Sequence, residues 1–151
     1  MSKNQIRVIS VIFGVLSFIF GCYYVHLIVS IQSIISFATL RMMMTNFVML
    51  HFVLFSAILF VGTVSSFGIF KLMRWGRLLA IVALTSYMVN FLALITTQVL
   101  SPYFDGLIYS KRGWFIFYHM NLRVDTFLVP LVVMIFLVLF NLNVFKKSYQ
   151  S

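Results

Sequence analysis

Four long apolar runs are the feature that most constrains what this chain can fold into. They cover residues 8–31, 47–70, 78–100 and 124–145, and each is long enough to cross about 30 Å of hydrocarbon at roughly 1.5 Å per residue. A lone strand leaves its backbone groups unpaired in lipid, and the alternating pattern of an outer-membrane barrel is missing. The sequence therefore predicts an all-α integral membrane protein. Its single domain, residues 1–151, would hold four transmembrane helices in an antiparallel up-down bundle.

The composition agrees with this class. The chain is 63% hydrophobic, whereas soluble domains are roughly 45–50% apolar. Lys3 and Arg7 precede roughly 24 uncharged residues, a run too long for a cleavable signal and without a small-residue cleavage site, so we expect it to remain as the first span. Cys22 is the only cysteine, which rules out an intrachain disulfide and favours a small buried side chain.

The three connections differ in character. The segment 32–46 has apolar residues at helical spacing, which suits either a helix at the interface or a continuation of the first helix beyond the membrane. Gly68 and Gly76 flank a turn short enough to make the second and third spans a hairpin. The segment 101–123 is rich in Tyr, Trp and Phe, and we expect an aromatic interfacial cap there. Pro130 predicts a kink in the fourth span.

The distribution of charge predicts the orientation. The chain has eleven Lys and Arg, two Asp, no Glu and a net charge of +9. Seven cations would share the side of the two termini: Lys3, Arg7, Lys71, Arg74, Arg77, Lys146 and Lys147. Four would lie opposite: Arg41, Lys111, Arg112 and Arg123. An excess of cations marks the cytoplasmic side, so both termini are predicted to be cytoplasmic. The cations form no continuous basic face, which argues against nucleic acid as a partner.

The stretch "KLMRWGRLL" supplies the cations of the inner turn. Lys71, Arg74 and Arg77 are expected to contact anionic lipid headgroups, with Trp75 at the same level. The longer segment "FGIFKLMRWGRLLAIVAL" resembles the short inner turn of many small bacterial four-span proteins. That resemblance implies a hairpin in a plasma membrane, here a bacterial inner membrane, and implies no activity.

Small residues at four-residue spacing predict close contacts between helices. Those on the first two spans are Ser10, Gly14, Ser17, Gly21, Gly62 and Ser66. Asn90 lies at the centre of the third span, where an amide without a partner is costly. We expect Asn90 to bond to another helix or to another subunit.

Five side chains would meet at the outer side of this topology as weak candidates for a metal site. They are His26, His51, His119, Asp105 and Asp125. Imidazole and carboxylate groups bind metals, but none of the histidines has a ligand-spaced partner, and histidines bonded within the bundle are the favoured interpretation. No cofactor is predicted.

The function predicted from the sequence is non-enzymatic. The chain has no HExxH, no Gly-rich phosphate loop and no GxSxG pattern, and without Glu it lacks paired carboxylates on the cytoplasmic side. We expect a small subunit or accessory protein that packs in a larger membrane complex with other subunits or with copies of itself. The alternative is a homo-oligomeric carrier or channel for an apolar or anionic solute, and an enzyme acting on lipid through His119 or His51 is a third possibility.

Overall fold

The structure, a computed structural model, describes residues 2–35, 42–100, 128–142 and 145. Over these residues it is all-helical, as the sequence predicts. The four helices are α1 (Lys3–Ile35), α2 (Met42–Phe70), α3 (Arg74–Leu100) and α4 (Leu128–Asn141). α1 continues through Ile35, so the start of the first connection is part of this helix. The predicted aromatic cap at 101–123 lies outside the described residues.

α1 begins at Lys3 because the two residues that flank its first turn cap each other. The Gln5 backbone N–H donates to Ser2 Oγ at 3.2 Å, and the Ser2 backbone nitrogen donates to Gln5 Oε1 at 2.8 Å. This reciprocal arrangement is a capping box, which satisfies backbone groups that the first turn of a helix otherwise leaves unpaired. α1 therefore begins five residues before the predicted apolar run, and carries Lys3 and Arg7 in its first two turns.

The turn between α2 and α3 begins with a hydrogen-bonded cap at the C-terminus of α2. The Leu72 N–H donates to the Ile69 carbonyl and the Met73 N–H donates to the Gly68 carbonyl, both at 2.8 Å. These are the two bonds of a Schellman motif, in which the residue after the helix adopts the left-handed conformation. Leu72 occupies that position with φ 59°, where glycine is the usual residue.

Directly beside this turn, the backbones of α2 and α3 touch. A Cβ atom on Gly76 would lie 2.4 Å from the Gly68 carbonyl carbon and 2.5 Å from the Ile69 nitrogen. A Cβ on Gly68 would lie 2.7 Å from the Gly76 Cα. Only glycine at both positions permits this approach, which fixes where the two helices leave the turn.

α1 and α2 pack through small residues. A Cβ on Gly14 would lie 2.4 Å from Ser66 Oγ, and a Cβ on Gly62 would lie 3.1 Å from Ser17 Oγ. Gly21 faces the Phe60 ring, 3.2 Å from where its Cβ would be. The small faces of these two helices are thus used against each other within one chain.

Aromatic rings fill the interior in two groups. Near the α2–α3 turn, Phe13 of α1 lies 5.0 Å from both Phe136 and Phe140 of α4, measured between ring centroids. Farther along α1, Tyr24 stacks on Phe55 at 5.1 Å, and Phe55 lies 4.7 Å from Tyr87 of α3. Contacts at 4.5–7 Å are favourable for aromatic pairs. All four helices therefore share one core.

Three of the helices are long and apolar enough to cross a membrane. The qualifying stretches are Lys3–Val29, Leu50–Phe70 and Arg74–Thr96, of 27, 21 and 23 residues. α4 has 14 residues, or about 21 Å of helix, which is short of the roughly 30 Å of hydrocarbon. The remaining parts of the predicted fourth span, 124–127 and 143–144, lie outside the described residues. Pro130 is the third residue of α4, and the predicted kink stays a prediction.

Candidate functional site

A polar pair in the interior joins α2 to α3. His51 is 6% exposed, and its Nδ1 lies 2.5 Å from Asn90 Oδ1. The Asn90 side-chain nitrogen donates in turn to the His51 backbone carbonyl at 3.3 Å. One amide therefore engages both the ring and the backbone of a single residue on the neighbouring helix.

This geometry determines which atom carries the proton between the two side chains. Asn90 Nδ2 is a donor, so the Oδ1 that faces the ring is an acceptor. His51 Nδ1 must then carry a hydrogen and donate it. An imidazole fixed in this way has its Nε2 left as the acceptor whenever the ring is neutral.

A second polar pair joins α1 to α3. The hydroxyl oxygens of Tyr24 and Tyr87 are 2.8 Å apart, and the two side chains are 1% and 0% exposed. Tyr87 and Asn90 are three residues apart on α3 and so lie on the same face of this helix. α3 therefore bonds to α1 through Tyr87 and to α2 through Asn90, and we call these four side chains, Tyr24, His51, Tyr87 and Asn90, the polar centre.

The surroundings of the polar centre are apolar. Phe52, Phe55 and Leu94 are all buried, with exposures of 2%, 1% and 8%. A hydrogen bond is stronger in such a medium than in water, and breaking one leaves a costly unpaired group. The arrangement is suited to locking three helices in register, because each member's hydrogen bond crosses to a different helix.

The sequence did not single out the two tyrosines. The available signal was a phenol far from either end of a predicted span: Tyr24 lies in the first span, and Tyr87 lies near the middle of the third. A buried Tyr hydroxyl usually has a bonding partner. Asn90 was singled out for the same reason, but nothing in the sequence connects it to His51, which lies 39 residues away.

Only two of the five metal candidates fall in the described part of the chain. His26 is exposed on α1, whereas His51 is buried on α2 and bonded to Asn90. Among the described residues, no group of three or more His, Cys, Asp or Glu side chains is placed to bind a metal. His119, Asp105 and Asp125 lie outside the described residues.

The cations of the α2–α3 turn differ from one another in their surroundings. Arg77 Nε donates to the Phe140 carbonyl at 2.8 Å, so this side chain lies at the C-terminal end of α4, where a positive charge is favourable. The Lys71 ammonium lies 4.4 Å from the centroid of the Phe67 ring. Arg74 and Trp75 are exposed, and Trp75 Nε1 donates to Met73 Sδ at 3.0 Å.

Two further predicted positions are placed by the structure. Ser10 is 1% exposed and its hydroxyl donates to the Arg7 carbonyl of its own helix at 2.7 Å. Cys22 was expected to be buried, but it is exposed. It lies on the outward face of α1, next to the face that packs on α2, and a membrane would surround it with lipid.

No protein-family model matches this chain, and no similar protein was found among curated proteins or solved structures.

Proposed function

We propose that the protein is a multi-pass protein of a plasma membrane, a bacterial inner membrane, with both termini cytoplasmic. Within that membrane it acts as a non-enzymatic subunit or accessory protein of a larger assembly. The topology is an antiparallel up-down bundle in which α4 belongs to a fourth span. Its partners would be other membrane subunits or copies of itself, together with the anionic headgroups of the surrounding lipid.

Helix contacts support the antiparallel arrangement. Successive residues of α1 meet residues of decreasing number on α2. Gly14 meets Ser66, Ser17 meets Gly62, and Gly21 meets Phe60. Between α2 and α3, residues 68 and 76 meet near the turn, and residues 51 and 90 meet far from it. This order of contacts supports antiparallel pairing in both cases, the arrangement that short connections favour.

The observation that carries the subunit role is the contrast between the interior and the outward faces. The polar centre is bonded within the chain, whereas large apolar side chains cover the outside of each helix. Val15, Val64, Val89 and Val138, one on each helix, are 53%, 59%, 62% and 58% exposed. In a membrane such faces contact lipid or the helices of a partner, and helices associate there by close packing.

Purification of the native complex tests this proposal. The full chain, extracted in mild detergent and identified with its partners by mass spectrometry, should elute with other membrane subunits or as an oligomer. A photocrosslinking residue placed in turn at positions 15, 64, 89 and 138 should give a crosslink from one face in particular. The matched control is a crosslinker at Phe55, which is 1% exposed and should capture no partner. A lone monomer with no crosslinked partner from any face contradicts the proposal.

A carrier or channel is the second candidate, favoured by the polar centre because intramembrane polar groups often lie on solute pathways. For that role the bond between His51 and Asn90 would have to open. Flux of an anionic or apolar solute into proteoliposomes should then fall in the Asn90→Leu variant. An unchanged flux removes these residues from the pathway.

A further inference from the structure

Two cations lie on aromatic rings at the inner end of α2. The Arg7 guanidinium carbon is 5.7 Å from the centroid of the Phe70 ring, and the Lys71 ammonium is 4.4 Å from that of Phe67. Both distances are within the range of cation–π attraction. Phe67 and Phe70 are 57% and 42% exposed, so the two cations lie along the outward surface of the bundle.

These cations stand at one end of a longer apolar surface. On α1, Arg7, Val11 and Phe18 fall on one side of the helix, next to the residues that contact α2. Phe60 and Phe67 occupy the matching side of α2, seven residues apart, and Phe60 lies 6.0 Å from Phe18 between ring centroids. We call this surface the α1/α2 flank; it comprises Arg7, Val11, Phe18, Phe60, Phe67, Phe70 and Lys71.

The length of the α1/α2 flank matches one leaflet of a bilayer. Arg7 and Phe18 are eleven residues apart, which corresponds to about 17 Å along a helix. Half of a hydrocarbon core of roughly 30 Å is about 15 Å. A lipid whose headgroup sits beside Arg7 would therefore reach the Phe18 and Phe60 rings with the ends of its acyl chains.

Charge identifies the kind of lipid. The only acidic residues of the chain are Asp105 and Asp125, neither of which lies near the α1/α2 flank in the sequence. Arg7 and Lys71 thus face the membrane surface with no carboxylate of α1, α2 or their turn to neutralise them. A phosphate pairs with arginine through two parallel hydrogen bonds and with lysine as a point charge.

We propose that the α1/α2 flank binds one anionic diacyl phospholipid of the inner leaflet. Its phosphate bridges Arg7 and Lys71, and its acyl chains lie along Val11, Phe18 and Phe67. The ring contacts hold the two cations in place before the lipid arrives, which lowers the ordering cost of binding. This inference rests on the membrane location proposed above and does not depend on the subunit role.

The test uses the full chain in detergent, with dioleoyl phosphatidylglycerol and dioleoyl phosphatidylcholine as probes and native mass spectrometry as the measurement. The wild-type protein should retain phosphatidylglycerol in preference to phosphatidylcholine. A charge-assisted hydrogen bond to the phosphate changes affinity about tenfold, so the Arg7→Gln, Lys71→Gln double variant should lose about 100-fold of that preference. Circular dichroism should show unchanged helix content.

The matched control compares two single variants, Lys71→Gln and Arg74→Gln, which remove the same charge from the same turn. Arg74 is exposed and belongs to α3, off the α1/α2 flank, so its loss should lower the preference less than about threefold, against about tenfold for Lys71→Gln. An equal loss in both single variants would mean attraction to any anionic surface and would overturn the site. Binding that inorganic phosphate displaces completely would also overturn it, because the acyl chains would then contribute nothing.

The two proposals fail in different ways. A chain that purifies alone but still selects phosphatidylglycerol contradicts the subunit role and leaves the lipid site standing. A chain that purifies within a complex but shows no lipid preference overturns the lipid site alone.

Discussion

Leu72 is a single residue in a conformation that its side chain disfavours. The left-handed region costs an L-residue roughly 1–2 kcal/mol, and Leu72 has φ 59°. Leucine at this position also packs partly against the core, so replacing it by glycine alone would mix two effects. Comparing two variants with small side chains at position 72 separates the effect of the backbone conformation from the effect of packing, because both variants lose the packing of the leucine side chain.

We predict that the Leu72→Gly variant is more stable than the Leu72→Ala variant by about 1 kcal/mol. In ordinary helical positions the order is the reverse, with glycine less stable than alanine by a similar amount. Denaturant unfolding in mixed micelles measures the difference. The same two changes at Lys71, which has no positive φ, provide the control and should favour alanine. Alanine favoured at both positions would contradict the role given to the Leu72 conformation.

The pair formed by His51 and Asn90 is the second single-residue feature with a measurable consequence. We predict that Asn90→Leu destabilises the bundle by about 1–3 kcal/mol, because the buried His51 ring loses its acceptor. In a double-mutant cycle with His51→Leu, the loss in the double variant should be smaller than the sum of the single losses by about 1 kcal/mol. Unfolding of all four proteins in the same micelles gives this coupling energy.

Thr96→Val is the control for that cycle. The Thr96 hydroxyl bonds to the Leu92 carbonyl of its own helix at 2.8 Å and is exposed. Its loss should change stability by less than about 0.5 kcal/mol. Additive effects of the His51 and Asn90 substitutions would show that the two side chains do not stabilise each other.

Between whole helices, the backbones of α2 and α3 approach each other closely at Gly68 and Gly76. We predict that Gly76→Ala destabilises the protein by about 3 kcal/mol, since the new methyl group would meet backbone atoms that cannot turn aside. Gly21→Ala is the matched control. Its methyl group would meet the Phe60 ring at 3.2 Å, a side chain that can shift, and the cost should stay below about 1 kcal/mol. Similar costs for both variants would argue against a rigid contact at the turn.

Sequence patterns predicted the helices better than their contacts. The bracketing of the α2–α3 turn by Gly68 and Gly76 was visible because glycine marks helix ends. That the two glycines touch was not visible, because the register between helices depends on the packing of every side chain along them. The small residues of α1 and α2 were recognised by their spacing, but the same spacing serves contacts within a chain and between chains. Only the structure places Gly14 against Ser66.

The start of α1 shows a different limit. Hydropathy placed it at residue 8, while the bonds between Ser2 and Gln5 extend it to Lys3. The sequence contains the S-x-x-Q signal of a capping box, so this boundary was predictable from capping and not from hydropathy. The polar centre was harder to predict from the sequence, since a partner 39 or 63 residues away produces no periodic sequence pattern.

For the whole molecule, orientation in the membrane is the property that the charge distribution predicts. The proposed inner side holds seven of the eleven Lys and Arg residues, and three of these, Lys71, Arg74 and Arg77, lie in one short turn. The structure distinguishes Arg77 from the other two, because Arg77 also bonds to the Phe140 carbonyl of α4. A charge change at Arg77 would therefore affect packing as well as the proposed topology, and two variants are needed to tell the effects apart.

We predict that changing Lys71, Arg74 and Arg77 together to Gln gives a mixture of orientations, because four cations would then remain on each side and the excess that marks the cytoplasm would vanish. The Lys71→Gln, Arg74→Gln variant keeps the bond to α4 and should shift orientation less. A C-terminal reporter that is active on only one side of the membrane measures both. Changing Lys111, Arg112 and Arg123 to Gln should leave the orientation uniform, since it enlarges the excess. A uniform orientation in the triple variant of the turn would contradict its control of topology and leave the other inner cations as the determinant.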